Sequence, residues 1–373
     1  MRILHVIRPA DGGMRAHLQI LLAGLSDSGY EVGLVSPNRD WNDSLTAKGL
    51  PAFWAPIADR PGPKDLMAMS ALAKAVREFN PDFLHCHGLR AAWLGRPVAK
   101  ILGLPVVVTY HTSLDGGGRW RQALTMVLER FMARWNTGSI AVSGLVSADL
   151  DRRLGLRGRH VAAILNGIDL TTLTPERPRE EIRAMLRFSN EDLVIGTVAR
   201  LARQKDLETL IRAAYMVVQE SFRPVFILIG DGPERARLER LVDELSLRGR
   251  VRFLGHREDI PELLSAMDLF ALSSRSEGAP LAVMEAMAMG LPVVATRAGG
   301  LPELVPEGRA GFLVPPGDAA ALAGALLRLA DEPDVRAMMA REARAWAHRC
   351  FARERMIAET SRFYEAVFSQ GHL

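Results

Sequence analysis

Short apolar runs alternate with helix-length segments along the whole chain, and this alternation constrains the fold more than any other feature. Six such runs occur in the first half, at 3–7, 31–36, 83–87, 106–111, 139–143 and 161–165. Six more occur in the second half, at 193–199, 225–230, 251–255, 269–274, 292–296 and 311–314. Apolar strands separated by helices indicate βαβ units with parallel sheets buried on both faces. The pattern therefore predicts an α/β fold of two Rossmann-like, doubly wound parallel-sheet domains.

The length of the chain agrees with two domains, because 373 residues exceed the usual domain of about 100–200 residues. Residues 170–190 lack a core pattern and contain Pro175 and Pro178, so we expect a linker there. We place an N-terminal domain at 1–172 and a C-terminal domain at 173–352. Ligands of such sheets bind beyond the carboxyl ends of the strands, so two facing domains would enclose a cleft.

Composition excludes several classes of protein. Hydrophobic residues make up 48% and charged residues 24% of the chain, which excludes a disordered or fibrous protein. No apolar run approaches the roughly 18 residues that span a bilayer, and the run 3–7 is too short for a signal peptide. We therefore expect a cytoplasmic protein. Cys86 and Cys350 form no CxxC pair, so neither a disulfide framework nor a cysteine zinc site is expected.

Positive charge is concentrated in the first half of the chain. Residues 1–172 contain 20 Lys and Arg against 14 Asp and Glu, a net +6, whereas the remaining residues carry 27 against 29, a net −2. The first half should therefore prefer an anionic partner or surface. We do not expect nucleic acid to be that partner.

The segment Ser-Glu-Gly-Ala-Pro-Leu-Ala-Val-Met-Glu, from Ser276 to Glu285, is the strongest chemical motif. A predicted strand ends before it and a helix begins inside it, so Glu277 lies in the loop and Glu285 in the first helical turns. Carboxylates there can accept hydrogen bonds from vicinal hydroxyls of sugars and riboses, and the free amides of the helix suit a phosphate. The alternative is that Glu277 is a solvated loop residue and Glu285 is a charge on the helix surface.

This motif, with the Ala286 to Ala295 segment after it, resembles the signature of the family 4 retaining glycosyltransferases, also called glycosyltransferase group 1. Five more segments match the family in order: Gly12-Gly13, Asn166 to Asp169, Arg200 to Lys205, Gly230 to Pro233 and Gly299 to Glu303. The resemblance covers nearly the full chain. It implies the GT-B fold, in which two domains face each other across a cleft. It also implies a last helix, at 353–373, that crosses back to the N-terminal domain.

The resemblance implies roles for residues of the donor site. Arg200 and Lys205 would hold the donor's pyrophosphate, where two cations offset the charge that develops on the leaving group. Glu285 would bind the ribose hydroxyls, and Glu277 the hydroxyls of the transferred sugar. The other residues placed at the donor are Gly13, Gly255, Arg257, Gly278 and Leu281. Of these, Gly13 would let its backbone amide approach a phosphate closely, and the loop of Gly255 and Arg257 would flank the nucleobase.

His111, at the carboxyl end of the strand 106–111, resembles the family's histidine near the reacting carbon of the sugar. We therefore group it with Glu277, Arg200 and Lys205 as the catalytic residues. His87 and Arg15 are placed on the acceptor side.

Two patterns raise the question of a metal site. His85 and His87 share one face of a strand with Cys86 opposite, but no third ligand is evident. Asp149 and Asp151 have the spacing of a metal-binding DxD motif, but they fall in a helical pattern, so we expect them on a helix surface. We therefore predict no metal and no cofactor other than the donor substrate.

An apolar stripe follows one side of the helix predicted at 120–135. Its members are Trp120, Leu124, Val127, Leu128, Phe131 and Trp135, and the flanking cations are Arg119, Arg121, Arg130 and Arg134. Such a helix could lie on an anionic membrane. The interpretation we favour is an ordinary helix that packs its stripe on the sheet.

The resemblance thus implies a metal-independent, retaining hexosyltransferase that moves a sugar from a nucleoside-diphosphate sugar to a hydroxyl of a glycan or lipid-linked acceptor. Its expected place is cell-surface glycan or glycolipid synthesis, in the cytoplasm or at the inner membrane face. The alternatives are a sugar-nucleotide epimerase or phosphorylase of the same fold, and a non-catalytic carbohydrate-binding relative. A Rossmann dehydrogenase is disfavoured because Arg235 stands where Gly230-Asp231-Gly232 would need a third glycine.

Overall fold

The computed structural model describes residues 1–10, 12–112, 119–156, 160–189, 191–221 and 223–368. The chain forms two compact units, one of Met1–Gly167 with Arg353–Leu373 and one of Ile168–Ala352. Each unit contains a parallel sheet whose strands are joined by helices. The predicted α/β class with two Rossmann-like units is confirmed.

The first unit contains a seven-stranded sheet of order β3-β2-β1-β4-β5-β6-β7. Its strands are β1 (Arg2–Ile7), β2 (Glu31–Ser36), β3 (Ala52–Trp54), β4 (Phe83–His87), β5 (Val106–Tyr110), β6 (Gly138–Ala141) and β7 (Val161–Ala163). The helices between them are α1 (Gly13–Asp27), α2 (Arg39–Thr46), α3 (Lys64–Phe79), α4 (Leu89–Leu102), α5 (Arg119–Met132) and α6 (Gly144–Leu154). The short β3 was not predicted, because three residues at the edge of a sheet carry almost no periodic signal.

The second unit contains a six-stranded sheet of order β10-β9-β8-β11-β12-β13. Its strands are β8 (Leu193–Val198), β9 (Pro224–Ile229), β10 (Val251–Gly255), β11 (Leu269–Leu272), β12 (Val293–Thr296) and β13 (Gly311–Val314). Its helices are α7 (Arg179–Met185), α8 (Leu207–Glu220), α9 (Arg235–Glu244), α10 (Ile260–Ala266), α11 (Leu281–Ala288), α12 (Leu301–Leu304), α13 (Ala319–Asp331) and α14 (Pro333–Cys350). The last helix, α15 (Arg353–Phe368), belongs to the first unit, where Ile357 packs closely on Gly24 of α1.

In both sheets the strand order reverses beside the first strand of the unit. β1 lies between β2 and β4, and β8 lies between β9 and β11. At such a reversal the loops that follow the strands diverge and leave room for a ligand. A ligand site is therefore expected at the residues that follow β1 and β4 in the first unit and β8 and β11 in the second.

Two sequence expectations about local structure are wrong. The segment expected to be a linker carries α7, whose Ile182 and Arg183 are buried, with Arg183 donating to Asp268 Oδ2 at 3.2 Å. Asp149 was expected on a helix surface but is 5% exposed, because the side chains of Arg152 and Arg153 cover it and donate to its carboxylate. Among the described residues, no helix is both long and apolar enough to cross a bilayer.

Candidate active site

Lys205 and Glu277 form an ion pair next to the carboxyl ends of β8 and β11. Lys205 ends a short 3-10 turn after β8, and its Nζ lies 2.5 Å from Oε1 of Glu277. Ser274, just beyond β11, donates to the same oxygen at 2.5 Å. Glu277 is only 5% exposed, so the ammonium and the hydroxyl compensate the loss of water around its charge. The structure thus brings together two of the residues predicted to be catalytic.

The backbone of Glu277 is held by the turn at Gly299 and Gly300. Gly300 donates its amide to the Glu277 carbonyl at 3.2 Å. At Gly299, where φ is +53°, a Cβ atom would lie 1.7 Å from the same carbonyl oxygen. Glycine is therefore required at this close approach. The sequence showed this segment only as part of the family resemblance, and the structure shows what it does.

Glu285 lies in α11 with its carboxyl group partly shielded from water. It has no hydrogen-bond or ion-pair partner in the part of the chain that the structure describes. Burial raises the pKa of Glu285 from 4.5 to about 7, because removal from water disfavours the charged form. Pro280 precedes the helix, and Gly278 and Leu281 are buried beside it. An unpartnered carboxyl group of this kind is ready to accept hydrogen bonds from hydroxyls of a ligand.

The two arginines predicted at the donor differ in their surroundings. Arg200, two residues beyond β8, is exposed and has no carboxylate partner within the described ranges. Arg257 instead donates to Asp259, with Nε 2.7 Å from Oδ1. The carbonyl of Gly255 accepts from the amide of Gly230 at 2.7 Å. The available cation is therefore Arg200, whereas Arg257 would have to leave Asp259 to contact a ligand through its side chain.

In the first unit, Gly12 and Gly13 form the start of α1. Gly12 has φ +66°, which favours glycine. A Cβ atom on Gly13 would meet no atom within 4 Å, so internal packing does not require glycine at this position. The guanidinium of Arg15 lies 5.2 Å from the ring centroid of Trp41.

Five histidines of the first unit form one cluster around the ends of β1, β4 and β5. His5 lies on β1, His85 and His87 lie on β4, His17 lies on α1, and His111 follows β5. The atoms that could bind a metal lie within 4.8 Å of one another in two groups, His5-His85-His87 and His17-His87-His111. The expectation that no third histidine lies near His85 and His87 is therefore wrong. His5 was visible in the sequence as a histidine within a predicted strand. Its proximity to His85 follows only from the pairing of β1 with β4, in which the two residues lie side by side.

Hydrogen bonds engage both ring nitrogens of His85 and of His87. His85 Nε2 lies 2.7 Å from Thr109 Oγ1, and His85 Nδ1 lies 2.6 Å from Tyr364 Oη. Both ring nitrogens of His85 are thus engaged, and the cluster contains no carboxylate to offset a dication. His87, expected to line the acceptor side, is fully buried and faces His5 and His111 instead. That expectation is corrected, because the polar ring finds its partners within the protein.

The apolar stripe of α5 faces outward at Val127, Leu128 and Phe131, so the expectation that it packs on the sheet is wrong for these described members. Val127, Leu128 and Phe131 are 69%, 41% and 56% exposed. The buried side of α5 carries Glu129 instead, which pairs with the equally buried Arg96 at 2.6 Å. The side chains of the other predicted members Arg119, Trp120, Arg121 and Leu124 lie outside the described residues.

Comparison with known families and proteins follows the same division into two units. A family described as "Glycosyltransferase Family 4" matches residues 11–172, and one described as "Glycosyl transferases group 1" matches residues 178–346. Alpha-D-kanosaminyltransferase of Streptomyces kanamyceticus is 32% identical over 69% of this chain and 70% of its own. UDP-Gal:alpha-D-GlcNAc-diphosphoundecaprenol alpha-1,3-galactosyltransferase of Escherichia coli is 28% identical over 85% and 88%. HepE of Anabaena in complex with UDP and glucose is similar in structure, with a TM-score of 0.83 at 26% identity over 98% of this chain and 100% of that one.

Proposed function

Because this chain belongs to the group 1 glycosyltransferases of family 4, we propose that it transfers a hexosyl group from a nucleoside-diphosphate sugar to an acceptor hydroxyl with retention of configuration. The first donor to test is a UDP-sugar, since the similar HepE structures contain UDP. The observation that carries this proposal is the set of donor groups after β8 and β11: the exposed Arg200, the Lys205–Glu277 pair and the unpartnered Glu285.

In this proposal Arg200 and Lys205 contact the diphosphate. As the bond from the sugar carbon to the phosphate oxygen breaks, negative charge grows on the diphosphate, and the two cations offset it. The acceptor hydroxyl attacks on the same face of the sugar and forms the new bond there. Its proton passes to the leaving phosphate oxygen, so no protein nucleophile or base is needed. In other reactions with a phosphate leaving group, a metal ion neutralises the developing charge. Here the two cations would do so, and we therefore propose that the reaction needs no metal.

Glu285 and Glu277 recognise hydroxyls in this proposal. Glu285 accepts from the ribose of the nucleotide, and Glu277 accepts from the transferred sugar through the oxygen that Lys205 and Ser274 leave available. Charge-assisted hydrogen bonds of this kind are about twice as strong as neutral ones.

The test of the proposal is Lys205→Met, with Arg203→Met as the matched control. Arg203 lies two residues away with 91% of its side chain exposed, and it only approaches Glu234 at 3.4 Å. Lys205→Met should lower kcat by about 100- to 1,000-fold, while the dissociation constant for the donor changes much less. Arg203→Met should behave as the unmodified enzyme. Equal losses of turnover and donor binding, or no loss of turnover, would contradict the role given to Lys205.

We further propose that the acceptor is anionic and lipid-linked and is met at an anionic membrane through α5. This proposal rests on the exposed Val127, Leu128 and Phe131 beside the exposed Arg130. Phe131 contacts Trp135, which in turn carries Lys100 at 4.2 Å above its ring. Apolar side chains among cations are the combination that binds at the surface of anionic bilayers.

Sedimentation with vesicles tests this surface. Binding to vesicles with anionic lipid should fall as salt rises, and Phe131→Asp should abolish it. The control is Met216→Asp, an exposed apolar residue of the second unit. Absence of binding at low salt, or equal loss in both variants, would refute the membrane contact.

A further inference from the structure

We propose that His5 and His87 are positioning residues that determine which ring nitrogen of His111 carries its proton. Among the described residues, the three imidazoles form an unbranched chain of hydrogen bonds from His5 through His87 to His111. This inference concerns the ligand-free protein, and only its effect on catalysis rests on the proposed function.

The chain is short and well defined. His5 Nδ1 lies 3.0 Å from His87 Nε2, and His87 Nδ1 lies 3.3 Å from His111 Nε2. His5 and His87 are fully buried, whereas His111 is partly exposed. The sheet order creates this arrangement, because β4, which carries His87, lies between β1 and β5.

All three rings are neutral at physiological pH. Burial lowers the pKa of His5 to about 3 and that of His87 well below its usual value. Burial lowers the pKa of His111 as well, with smaller contributions from His17 and Arg8. A neutral imidazole has one N–H and one bare nitrogen, so it can donate one hydrogen bond and accept one.

Proton counting leaves two arrangements that satisfy both contacts. In the first, every ring is protonated on Nδ1, so His5 donates to His87 and His87 donates to His111. In the second, every ring is protonated on Nε2, and both hydrogen bonds run in the opposite direction. Any mixture of the two places two bare nitrogens or two N–H groups against each other. The tautomer of His5 therefore dictates the tautomer of His111.

The environment of His5 selects between these arrangements. Its other nitrogen, Nε2, is buried and has no hydrogen-bond partner among the described residues. The second arrangement would leave a buried N–H there, whereas the first leaves only a buried lone pair. Buried donors without a partner are the rarer and more costly case. The chain is thus set to Nδ1 protonation, so His111 accepts from His87 at Nε2 and presents an N–H at Nδ1.

This assignment gives His111 a definite chemical role. A ring with its bare nitrogen turned inward to His87 has no lone pair with which to take a proton from an acceptor. It can only donate a hydrogen bond, for example to a hydroxyl of the transferred sugar. His111 is then an orienting donor and not a general base, which agrees with proton transfer to the leaving phosphate.

Nitrogen NMR of the ligand-free, [15N]histidine-labelled protein tests the assignment directly, since protonated and bare ring nitrogens differ strongly in chemical shift. His111→Gln identifies the resonances of His111. We expect Nδ1 protonation in the unmodified protein and in His5→Asn, whose amide keeps a donor near the position of Nδ1. We expect a mixed tautomer in His5→Leu. Nε2 protonation of His111 in the unmodified protein would overturn the proposal without requiring any variant to fold.

Steady-state kinetics provide a second test. His5→Leu should lower kcat about tenfold, the factor that corresponds to one hydrogen bond, with little change in the KM for the donor. His5→Asn should restore most of this loss. The control is Tyr364→Phe, which removes the partner of His85 in the same cluster and leaves the chain intact. Equal effects of His5→Leu and Tyr364→Phe on kcat would show a merely structural role. A protein without transferase activity would refute the proposed function, while the tautomer of His111 would still be measured.

Discussion

Glu285→Gln should stabilise the ligand-free protein and weaken nucleotide binding, and both effects follow from one carboxyl group. Burial raises the pKa of Glu285 from 4.5 to about 7. The unfolded chain therefore releases this proton near pH 4.5, whereas the folded chain keeps it until about pH 7. Between these values the folded state binds more protons, so its stability falls as pH rises, and the loss is complete above pH 7. Glutamine has nearly the same shape and no charge, so it removes this loss.

The size of the effect follows from the two pKa values. A difference from 4.5 to about 7 corresponds to about 3 kcal/mol. Because the side chain retains some contact with water, we expect about 1–3 kcal/mol. For a unit of this size, 1 kcal/mol shifts the thermal midpoint by about 2–4 °C. The midpoint should therefore rise by about 2–12 °C at pH 8 and by about a quarter as much at pH 5.

The assay is differential scanning calorimetry of the ligand-free protein at both pH values, followed by titration with UDP at pH 8. The dissociation constant for UDP should rise by about 10- to 100-fold in Glu285→Gln, because hydrogen bonds to a charged group are lost. The control is Glu220→Gln, an exposed carboxylate at the end of α8, which should change neither quantity. A destabilised Glu285→Gln protein, or an equal gain at pH 5 and pH 8, would refute the burial argument. Unchanged UDP affinity would refute the ribose contact.

Three further results are expected. Glu129→Ala leaves the fully buried Arg96 without its carboxylate partner and should lower the free energy of unfolding of the first unit by about 3–5 kcal/mol; an unchanged thermal midpoint would contradict this. Gly13→Ala should fold normally because its Cβ meets no atom within 4 Å, yet it should lower kcat/KM about tenfold or more if the backbone contacts a donor phosphate; full activity would remove Gly13 from the donor site. Dialysis against a chelator should leave kcat within about twofold, and a loss that only a divalent cation restores would disprove metal independence.

The strands were predictable because buried parallel strands need contiguous apolar residues, and nothing else in the chain produces that pattern. All twelve predicted runs overlap strands of the structure, and among the described strands only the short edge strand β3 was not predicted. The donor-side residues were found for a different reason. Glu277 and Glu285 stand at a fixed spacing in one continuous loop and helix, so a local motif contains both of them.

Most of the errors have a common cause, since they concern contacts between residues that are distant in sequence; the burial of Asp149 by Arg152 and Arg153 is the local exception. The stripe of α5 is visible in the periodicity, but whether it faces the sheet depends on Arg96, 33 residues before its partner Glu129. The histidine chain depends on β4 lying between β1 and β5, which the order of strands along the chain does not reveal. Periodicity shows that a helix has two faces, and only tertiary pairing decides which face is covered.

The pairing of individual cations shows which of them carry the difference in net charge between the two halves of the chain. In the first unit, Arg90 and Arg96 are buried against Asp65 and Glu129, so they contribute nothing to the surface field. The surplus is carried by exposed cations, among them Arg130 on the outward face of α5. In the acidic second unit, Arg200 remains unpaired among the described residues although carboxylates are plentiful there. A cation kept unpaired in acidic surroundings is available for a multiply charged ligand such as a diphosphate, whereas the cations of α5 lie beside exposed apolar side chains and suit an extended anionic surface.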